Sequence, residues 1–212
     1  MGRTIIGLCG YARSGKDTVA RVLCEEFGFV KMAFADPLRA MALAIDPMIC
    51  LEGMSPEIFG ALLKHPETRG TFDNRQTSMK SEAVRYHVLI DAVGYEQAKS
   101  LPDFRRFLQR LGTEGARECM WDSIWLDTLG RRVSALPSDA RVVVTDVRFP
   151  NEAFWVRSRG TLWRVDRSGV GAPNGHASEQ HIERFDVHEV IQNRGTIDDL
   201  YVRVRNVMRY SV

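Results

Sequence analysis

The sequence contains few cysteines and little net charge. Its four cysteines, Cys9, Cys24, Cys50 and Cys119, form no C-x-x-C pair. Such spacing predicts neither a zinc site nor a disulfide framework, so we expect reduced cysteines that act as small core residues. The 29 Lys and Arg residues against 27 Asp and Glu residues give a formal net charge of +2. Because neither sign dominates, the chain as a whole is not expected to be attracted to nucleic acid or to anionic lipid.

Long hydrophobic runs are also missing. The longest wholly apolar stretch, residues 40–45, is far shorter than the about 20 residues that cross a bilayer. Arg3 leads directly into an apolar segment without the hydrophobic region and cleavage site of a signal peptide. The content of 44% hydrophobic and 26% charged residues is ordinary for a globular chain. We therefore expect one globular cytoplasmic domain with no membrane partner and no nucleic-acid partner.

Strands and helices alternate along most of the chain. Apolar segments bounded by turn residues predict five strands, near residues 4–9, 29–34, 141–145, 161–165 and 187–192. Helical periodicity separates these strands, and Gly28 is placed to end the first helix. The alternation predicts an α/β fold, with a five-stranded, mostly parallel sheet and helices on both of its faces.

Two stretches are too long to be simple connections. Roughly 100 residues separate the second predicted strand from the third, more than a crossover helix needs. Their pattern is largely helical, which predicts a helical insertion over about 47–135, carried on a single domain that spans 1–212. A shorter insertion over about 166–186 is rich in Gly, Ser and His, and we interpret it as a lid-like loop.

The segment GYARSGKDT, residues 10–18, follows the first predicted strand and opens the first predicted helix. Gly10 and Gly15 allow the backbone to wrap so that N–H groups converge on an anion, and the helix N-terminus adds the positive end of its dipole. Lys16 would contact the β- and γ-phosphates as a point charge. This is the G-x-x-x-x-G-K core of a phosphate-binding loop (P-loop), which predicts binding of a nucleoside triphosphate.

Two carboxylates are candidates for binding Mg²⁺. Asp17 stands where a P-loop usually has the Ser or Thr that binds the metal, and Thr18 follows it. A carboxylate beside a triphosphate is repelled unless a cation lies between them, so Asp17 favours magnesium dependence. Asp146 ends an apolar strand at the edge where ligands collect in open α/β sheets, which favours a metal role there. The alternative for Asp146 is a loop or helix-capping carboxylate.

The context of the P-loop favours a kinase. Asp146 does not begin a D-x-x-G motif and no N-K-x-D follows it, which disfavours a GTPase. A motor or AAA-type ATPase usually needs a longer chain with further arginine elements. A P-loop close to the start of a short chain with two insertions is typical of a small-molecule kinase, whose insertions close over both substrates and expel water.

Six segments occur in this order along the chain: RSGKDT (13–18), FADPLR (34–39), LQRLGTEGAR (108–117), VTDVRFPNE (144–152), HASEQ (176–180) and VIQNRGTIDDL (190–200). Together they resemble the deoxynucleoside monophosphate kinases typical of phages, within the P-loop nucleoside monophosphate kinase superfamily. The resemblance implies transfer of the γ-phosphoryl group of ATP, with Mg²⁺, to a deoxynucleoside 5′-monophosphate. It also implies a homodimer and, for a phage-encoded protein, the host cytoplasm.

The resemblance and the chemistry of two polyanions together assign the site. The predicted catalytic residues are Lys16, Asp17 and Arg148, and the predicted metal ligands are Asp17 and Asp146. ATP is expected to contact Gly10, Ala12, Arg13, Ser14, Gly15, Lys16, Asp17, Thr18 and, beside the adenine, Asn193. The acceptor is expected to contact Asp36, Arg39, Arg110, Thr113, Arg117, Trp125, Arg148 and Glu179. Arginine suits phosphate because its planar guanidinium binds two oxygens at once and stays charged.

Several of these residues have a structural alternative. The arginines could form surface ion pairs, Asp36 could be a helix N-cap before Pro37, Trp125 could pack in the core, and Asn193 could serve a turn. Glu152 is expected to support the start of the following helix. No general base is required, because a phosphate oxygen is already a competent nucleophile.

Two other functions stay open. One is a related kinase for a different acceptor, such as dephospho-coenzyme A or phosphomevalonate. The other is a regulator that binds a nucleotide without transferring phosphate. The preferred base and the selectivity between deoxyribose and ribose are not encoded in any motif of the sequence.

Overall fold

The computed structural model describes residues 2–68, 83–169 and 182–210. Within these ranges the strands are β1 (Thr4–Cys9), β2 (Val30–Met32), β3 (Met48–Cys50), β4 (Ala83–Arg85), β5 (Arg141–Val144), β6 (Thr161–Arg167) and β7 (Glu189–Asn193). The α-helices are α1 (Lys16–Phe27), α2 (Asp36–Ile45), α3 (Pro56–Lys64), α4 (Tyr86–Ala98), α5 (Pro102–Arg110), α6 (Ile124–Ser134), α7 (Pro150–Arg157) and α8 (Ile197–Tyr210). The segment Leu111–Glu118 is a π-helix, and Pro66–Thr68 and Ile182–Arg184 are short 3₁₀ turns.

The described residues form two compact units. The sheet unit comprises the chain up to Asp36 and from Trp125 onward, and the helical unit is Pro37–Ile124. The predicted insertion, about 47–135, overlaps the helical unit, and its role in binding the acceptor stays a prediction. Most of the predicted lid-like loop lies outside the described residues.

The sheet unit contains one parallel five-stranded sheet in the order β2-β5-β1-β6-β7. All four of its strand pairs are parallel, and β1 is the central strand. The predicted five strands and their common sheet are thus confirmed. β2 is shorter than expected, because the amides of Phe34 and Ala35 donate to a side chain instead of extending the strand ladder.

Helices cover both faces of this sheet, as predicted. One core contains Ile5 and Cys9 of β1 with residues of α6 and α7, and the other contains Ile6 and Leu8 with residues of α1 and α8. Successive residues of β1 therefore face opposite cores, as the two-residue period of a strand requires. α7 approaches β1 closely at Gly7, where a Cβ atom would lie 2.6 Å from Val156 Cγ1.

The first helix ends where the sequence predicts. Gly28 adopts φ 71° and its N–H donates to the Leu23 carbonyl oxygen, which is a left-handed C-cap. Cys9 is fully buried, and this burial raises the pKa of its thiol to about 12. The expectation of core cysteines is wrong for Cys119, which is exposed.

The helical unit also contains a two-stranded sheet that the sequence pattern did not predict. β3 and β4 pair antiparallel, with Ile49 opposite Val84. Each strand is only three residues long, too short to produce a recognisable alternation. The core of this unit is built around Tyr86, whose ring stacks on Phe104 with centroids 5.2 Å apart.

Within the described ranges, none of the helices has both the length and the apolar character that crossing a bilayer requires.

His87 links three segments of the helical unit. Its Nδ1 lies 2.8 Å from Asp46 Oδ2, and its Nε2 lies 3.2 Å from Glu67 Oε2. The Asp46 side chain also accepts the His87 backbone N–H at 2.9 Å, and Arg85 donates to the Asp46 carbonyl oxygen at 3.0 Å. The hydrogen bonds with Asp46 and then with Glu67 raise the pKa of His87 above its usual value.

We predict that the contact of His87 with Asp46 and Glu67 stabilises the protein more at about pH 6 than at about pH 9. A group whose pKa is raised by folding contributes fully below its unfolded pKa, about 6.5 for His, and its contribution is lost as the pH rises through the folded pKa. His87→Gln should therefore lower the thermal unfolding midpoint more at about pH 6 than at about pH 9. Glu67→Gln should show a weaker pH-dependent loss, because the Asp46 contact remains. Equal losses at both pH values would contradict the prediction.

Candidate active site

The loop between β1 and α1 reverses direction at its two glycines. Gly10 has φ 138° and Gly15 has φ 108°, values that L side chains rarely adopt. Between them Arg13 also has a positive φ, 64°. The Ser14 N–H donates to the Tyr11 carbonyl oxygen at 3.2 Å and closes a turn within the loop. The predicted P-loop is therefore a compact turn at the carboxyl end of the central strand, and it opens directly into α1.

Lys16 lies across this loop. Its Nζ donates to the carbonyl oxygens of Gly10 and Tyr11, both at 2.7 Å. These oxygens carry no net charge, whereas a phosphate oxygen is anionic and adds a Coulomb attraction for the ammonium group. A phosphate that enters the loop would therefore offer Lys16 a better partner than either carbonyl.

The donors around the loop fit a phosphate group. Ser14 is 1% exposed, and its Oγ has no hydrogen-bond partner within the described part of the chain. A buried hydroxyl without a partner is costly, so an acceptor at this position would be favourable. Ala12 and Arg13 are exposed, and Thr18 is half-buried in the first turn of α1. The N-terminus of α1 adds the positive end of a helix dipole.

Asp146 ties the end of β5 to the end of β2. Its Oδ1 accepts the Phe34 N–H at 2.7 Å and its Oδ2 accepts the Ala35 N–H at 3.0 Å. Burial raises the pKa of this carboxyl group, although the two N–H groups and the nearby Arg148 act in the opposite direction. The structural alternative for Asp146 is thus observed. Each oxygen retains a lone pair beyond the amide it accepts, so the predicted metal role stays a prediction.

Asp17 is the more accessible of the two predicted metal ligands. Its side chain is 86% exposed, and its Oδ1 lies 2.8 Å from Lys31 Nζ. Within the described ranges, no group of three or more His, Cys, Asp or Glu residues could hold a metal ion. Mg²⁺ does not need such a group, because it usually takes one or two carboxylates and completes its shell with substrate phosphates and water. The oxygen ligands of Asp17 and Asp146 therefore fit magnesium.

Arg148 begins the turn that leads into α7, and its side chain is exposed. The backbone N–H groups of Arg148 and Phe149 both donate to Glu152 Oε2, at 2.8 and 3.1 Å. Glu152 is 3% exposed, so this carboxylate is buried beneath the turn. The expectation that Glu152 supports the start of the helix is confirmed. The phosphate contact of Arg148 stays a prediction.

The other predicted residues of the sheet unit have different surroundings. Asp36 accepts the Ala33 N–H at 2.8 Å and so fixes the turn after β2. Asn193, the last residue of β7, donates through Nδ2 to the Ser14 carbonyl oxygen at 2.9 Å. Trp125 is only 5% exposed, so it presents little ring surface to a base. Glu179 lies outside the described residues.

In the helical unit, Arg39 lies against an aromatic ring. Its Cζ is 4.4 Å from the centroid of Tyr95, and Lys99 Nζ is 4.6 Å from the same centroid. Two cations therefore lie close to the same aromatic ring. A cation–π interaction of this kind contributes about 0.5–1 kcal/mol at an exposed site. This contact holds the Arg39 guanidinium in place without neutralising its charge.

The predicted monophosphate segment is a π-helix. The chain continues from α5 into Leu111–Glu118, the segment that contains Thr113, without a break. Gly112 and Gly115 therefore do not interrupt the helical chain. In an α-helix a spacing of seven residues would put Arg110 and Arg117 on one face, but a π-turn contains more residues than an α-turn, so they do not share a face here. π-Turns of this kind are rare and are often found at functional sites.

The two arginines of this segment differ in exposure. Arg110 lies 3.0 Å from Glu114 in an exposed pair, whereas Arg117 has a side chain that is 16% exposed and lies 3.9 Å from Asp122. Exposed pairs contribute about 0–1 kcal/mol, so Arg110 would leave Glu114 for a phosphate at little cost.

Sequence reasoning missed two residues of this region. Lys31 pairs with Asp17, and Tyr95 holds Arg39. Neither belongs to a motif, because each acts through a partner that is distant in the sequence. Lys31 lies on β2, which pairs with β5, the neighbour of β1. This position in the sheet is the only signal that could have indicated a contact between Lys31 and the P-loop region.

The sequence model of the deoxynucleotide monophosphate kinase family matches residues 57–204. The chain belongs to this family. The kinase class and the family that the six motifs predict are thereby confirmed. The P-loop precedes the matched residues, so it is identified by its own motif and by the geometry of its backbone.

Two viral relatives and one solved structure align over nearly the whole chain. A protein of Acanthamoeba polyphaga mimivirus is 28% identical over 204 residues, which cover 94% of this chain and 93% of the relative. The deoxynucleotide monophosphate kinase of Escherichia phage RB69 is 25% identical over 246 residues, covering 97% and 99%. A solved dephospho-CoA kinase from Campylobacter jejuni is 13% identical, covers 99% of this chain and 98% of its own, and has a TM-score of 0.41.

We predict that Asp146 is required for stability even without ligands. In Asp146→Asn, one of the two backbone N–H groups that the carboxylate now accepts would lose its acceptor. Leaving such a donor unsatisfied should lower the free energy of unfolding by about 1–3 kcal/mol, measured by urea denaturation in the absence of nucleotide and metal.

The matched control is Asp186→Asn, which removes a carboxylate from an exposed pair with Arg157. It should change the free energy of unfolding by less than about 1 kcal/mol. If both variants unfold at the same urea concentration as the original protein, the role of Asp146 in joining β5 to β2 is refuted.

Proposed function

We propose that this protein transfers the γ-phosphoryl group of ATP to a deoxynucleoside 5′-monophosphate and requires Mg²⁺ to do so. The observation that carries the proposal is the P-loop at the end of the central strand. There Gly10 and Gly15 shape a backbone turn, Lys16 spans it and Ser14 Oγ faces no acceptor within the described residues. Membership of the deoxynucleotide monophosphate kinase family supplies the acceptor class.

The donor end of the reaction depends on charge. As the γ-phosphoryl group leaves ADP, its oxygens carry developing negative charge, and fixed donors stabilise that charge without having to reorganise. Lys16 would exchange the carbonyls of Gly10 and Tyr11 for phosphate oxygens. Ser14 and the first amides of α1 would donate to the same anion.

Magnesium would be held by Asp17 and Asp146 together with the phosphates. When bound, it would neutralise phosphate charge. Asp17 alone would repel the triphosphate, which is why a carboxylate at this position of a P-loop is consistent with a metal-dependent enzyme.

The acceptor end requires cations that hold a monophosphate in line with the γ-phosphoryl group. Arg39, Arg110, Arg117 and Arg148 are the proposed phosphate ligands, with Asp36, Thr113 and Glu179 as further contacts to the nucleotide. Arg39 is held by Tyr95 and Arg110 by an exposed carboxylate. The exposed pair of Arg110 and Glu114 contributes only about 0–1 kcal/mol, so it competes weakly with a phosphate. We also propose that the protein acts as a homodimer, in the cytoplasm, on free nucleotides.

We predict that Lys16→Ala lowers kcat by about 100-fold or more, because it removes a charge that is most needed as negative charge develops on the transferring group. ADP release should be measured with a panel of deoxyribonucleoside and ribonucleoside monophosphates and with dephospho-coenzyme A. Lys64→Ala serves as the matched control, since it removes an exposed lysine in the last turn of α3, outside the P-loop.

The same panel distinguishes the alternatives. ADP release that rises strongly only with deoxynucleoside monophosphates supports the proposal. Release that rises only with dephospho-coenzyme A would point to the related kinase. ATP binding without product from any acceptor would point to a regulator. If Lys16→Ala keeps a kcat close to that of the original protein, the P-loop is not the site of phosphoryl transfer.

We also predict that Asp17→Asn raises the Mg²⁺ concentration needed for half-maximal turnover. Loss of even an outer-shell partner typically weakens a metal site about 10–100-fold, so a shift of at least about tenfold is expected. The matched variant Lys31→Ala keeps the carboxylate and removes only its ion-pair partner, so it should leave the Mg²⁺ requirement unchanged or lower it. An unchanged requirement in Asp17→Asn would exclude Asp17 as a ligand.

A further inference from the structure

Asn193 connects the edge of the sheet to the P-loop. It is the last residue of β7, and β6 lies between β7 and the central strand β1. Its Nδ2 nevertheless reaches the loop that follows β1 and donates to the Ser14 carbonyl oxygen at 2.9 Å. The carboxamide therefore crosses the end of β6 to contact the backbone of the P-loop.

The same carboxamide fills the space beside Gly15. A Cβ atom on Gly15 would lie 2.6 Å from Asn193 Nδ2 and 3.4 Å from Leu200 Cδ2. Gly15 is also at φ 108°, a conformation that disfavours any side chain. The side chain of Asn193 thus packs against the glycine whose conformation shapes the loop.

This contact fixes the direction of a peptide plane. The described peptide bonds are all trans, so the carbonyl oxygen and the N–H of one peptide point in opposite directions. When Asn193 holds the Ser14 carbonyl oxygen, the Gly15 N–H of that peptide points away from β7. Backbone N–H groups of a P-loop are the donors that bind phosphate oxygens.

The neighbouring strand makes a second tie of the same kind. Arg167 of β6 is paired in register with Asn193, and it donates to the Arg13 carbonyl oxygen at 3.4 Å. Two cross-strand neighbours therefore hold two consecutive carbonyl oxygens of the loop. Arg13 is one of the loop residues with a positive φ, so the held segment is the one whose conformation is least favourable by itself.

We propose that Asn193 is a positioning residue for the P-loop, which aims the Gly15 N–H at a bound phosphate through the Ser14 carbonyl oxygen. The inference rests on the proposed nucleoside triphosphate binding, but it differs from the expectation that Asn193 lies beside the adenine. An adenine contact would act on the base alone. A positioning role acts on every polyphosphate, whatever is attached to it.

The experiment compares ligands with and without a base. Isothermal titration with Mg²⁺ measures the Kd of ATP and of inorganic tripolyphosphate for the original protein, Asn193→Ala and Asn193→Asp. Ala removes the donor, and Asp sets a carboxylate oxygen against the Ser14 carbonyl oxygen. Both variants should bind ATP and tripolyphosphate about tenfold more weakly, by the same factor for each ligand. The KM for ATP should rise while the KM for the acceptor nucleotide stays the same.

Gln192→Ala is the matched control, because it removes an amide from the preceding residue of the same strand, and it should leave both Kd values unchanged. Thermal unfolding of each variant verifies that the fold is retained. If one of the two Asn193 variants does not fold, the other still tests the proposal. Weaker ATP binding with unchanged tripolyphosphate binding would overturn the proposal in favour of an adenine contact. Unchanged binding of both ligands would also overturn it, as would an original protein that binds ATP but no tripolyphosphate. An original protein that binds neither ligand would instead refute the proposed function.

Discussion

The backbone between β1 and α1 is held in conformations that most residues avoid, and everything at the site depends on keeping it there. Gly10 and Gly15 adopt positive φ values without a Cβ, whereas Arg13 does so at 64° with a full side chain. A residue in such a region costs about 1–3 kcal/mol and persists only where surrounding contacts fix it. Here the contacts come from Arg167 and Asn193. The shape of the phosphate cradle is therefore set by the sheet as well as by the loop.

The sheet could be predicted from the sequence because its three inner strands, β5, β1 and β6, contain consecutive apolar residues. β1, β5 and β6 are buried along most of their length, and such segments stand out between turn residues. The two-stranded sheet of β3 and β4 could not be predicted, since each strand is short and its partner is far away in the sequence. The π-helix is also invisible to periodicity, because no residue type of Leu111–Glu118 distinguishes it from an α-helix broken at glycine.

The candidate site also contains features that the sequence predicts and features that only the fold determines. A local motif identifies the loop and Lys16, since every group that shapes it lies within a few residues. The partners of the other charged residues are set by the fold. Asp146 meets the amides of Phe34 and Ala35 across two strands, a contact that no spacing along the chain encodes. Tyr95 meets Arg39 only because α2 and α4 pack in one unit. Sequence reasoning therefore predicts which residues carry charge better than it predicts what holds them.

Holding a binding group before the ligand arrives has a physical advantage that explains these partners. Donors that are already aimed at a developing charge stabilise it without reorganising, whereas a flexible loop would lose part of that gain when it became ordered. The cost of ordering the loop is instead met during folding, because Arg167 and Asn193 hold its carbonyl oxygens in the folded protein. A residue such as Asn193 can thus control how tightly phosphate binds while touching only the loop backbone. Its effect should be equal for every ligand that presents a polyphosphate, because what it controls is the direction of an N–H group and not the recognition of a base.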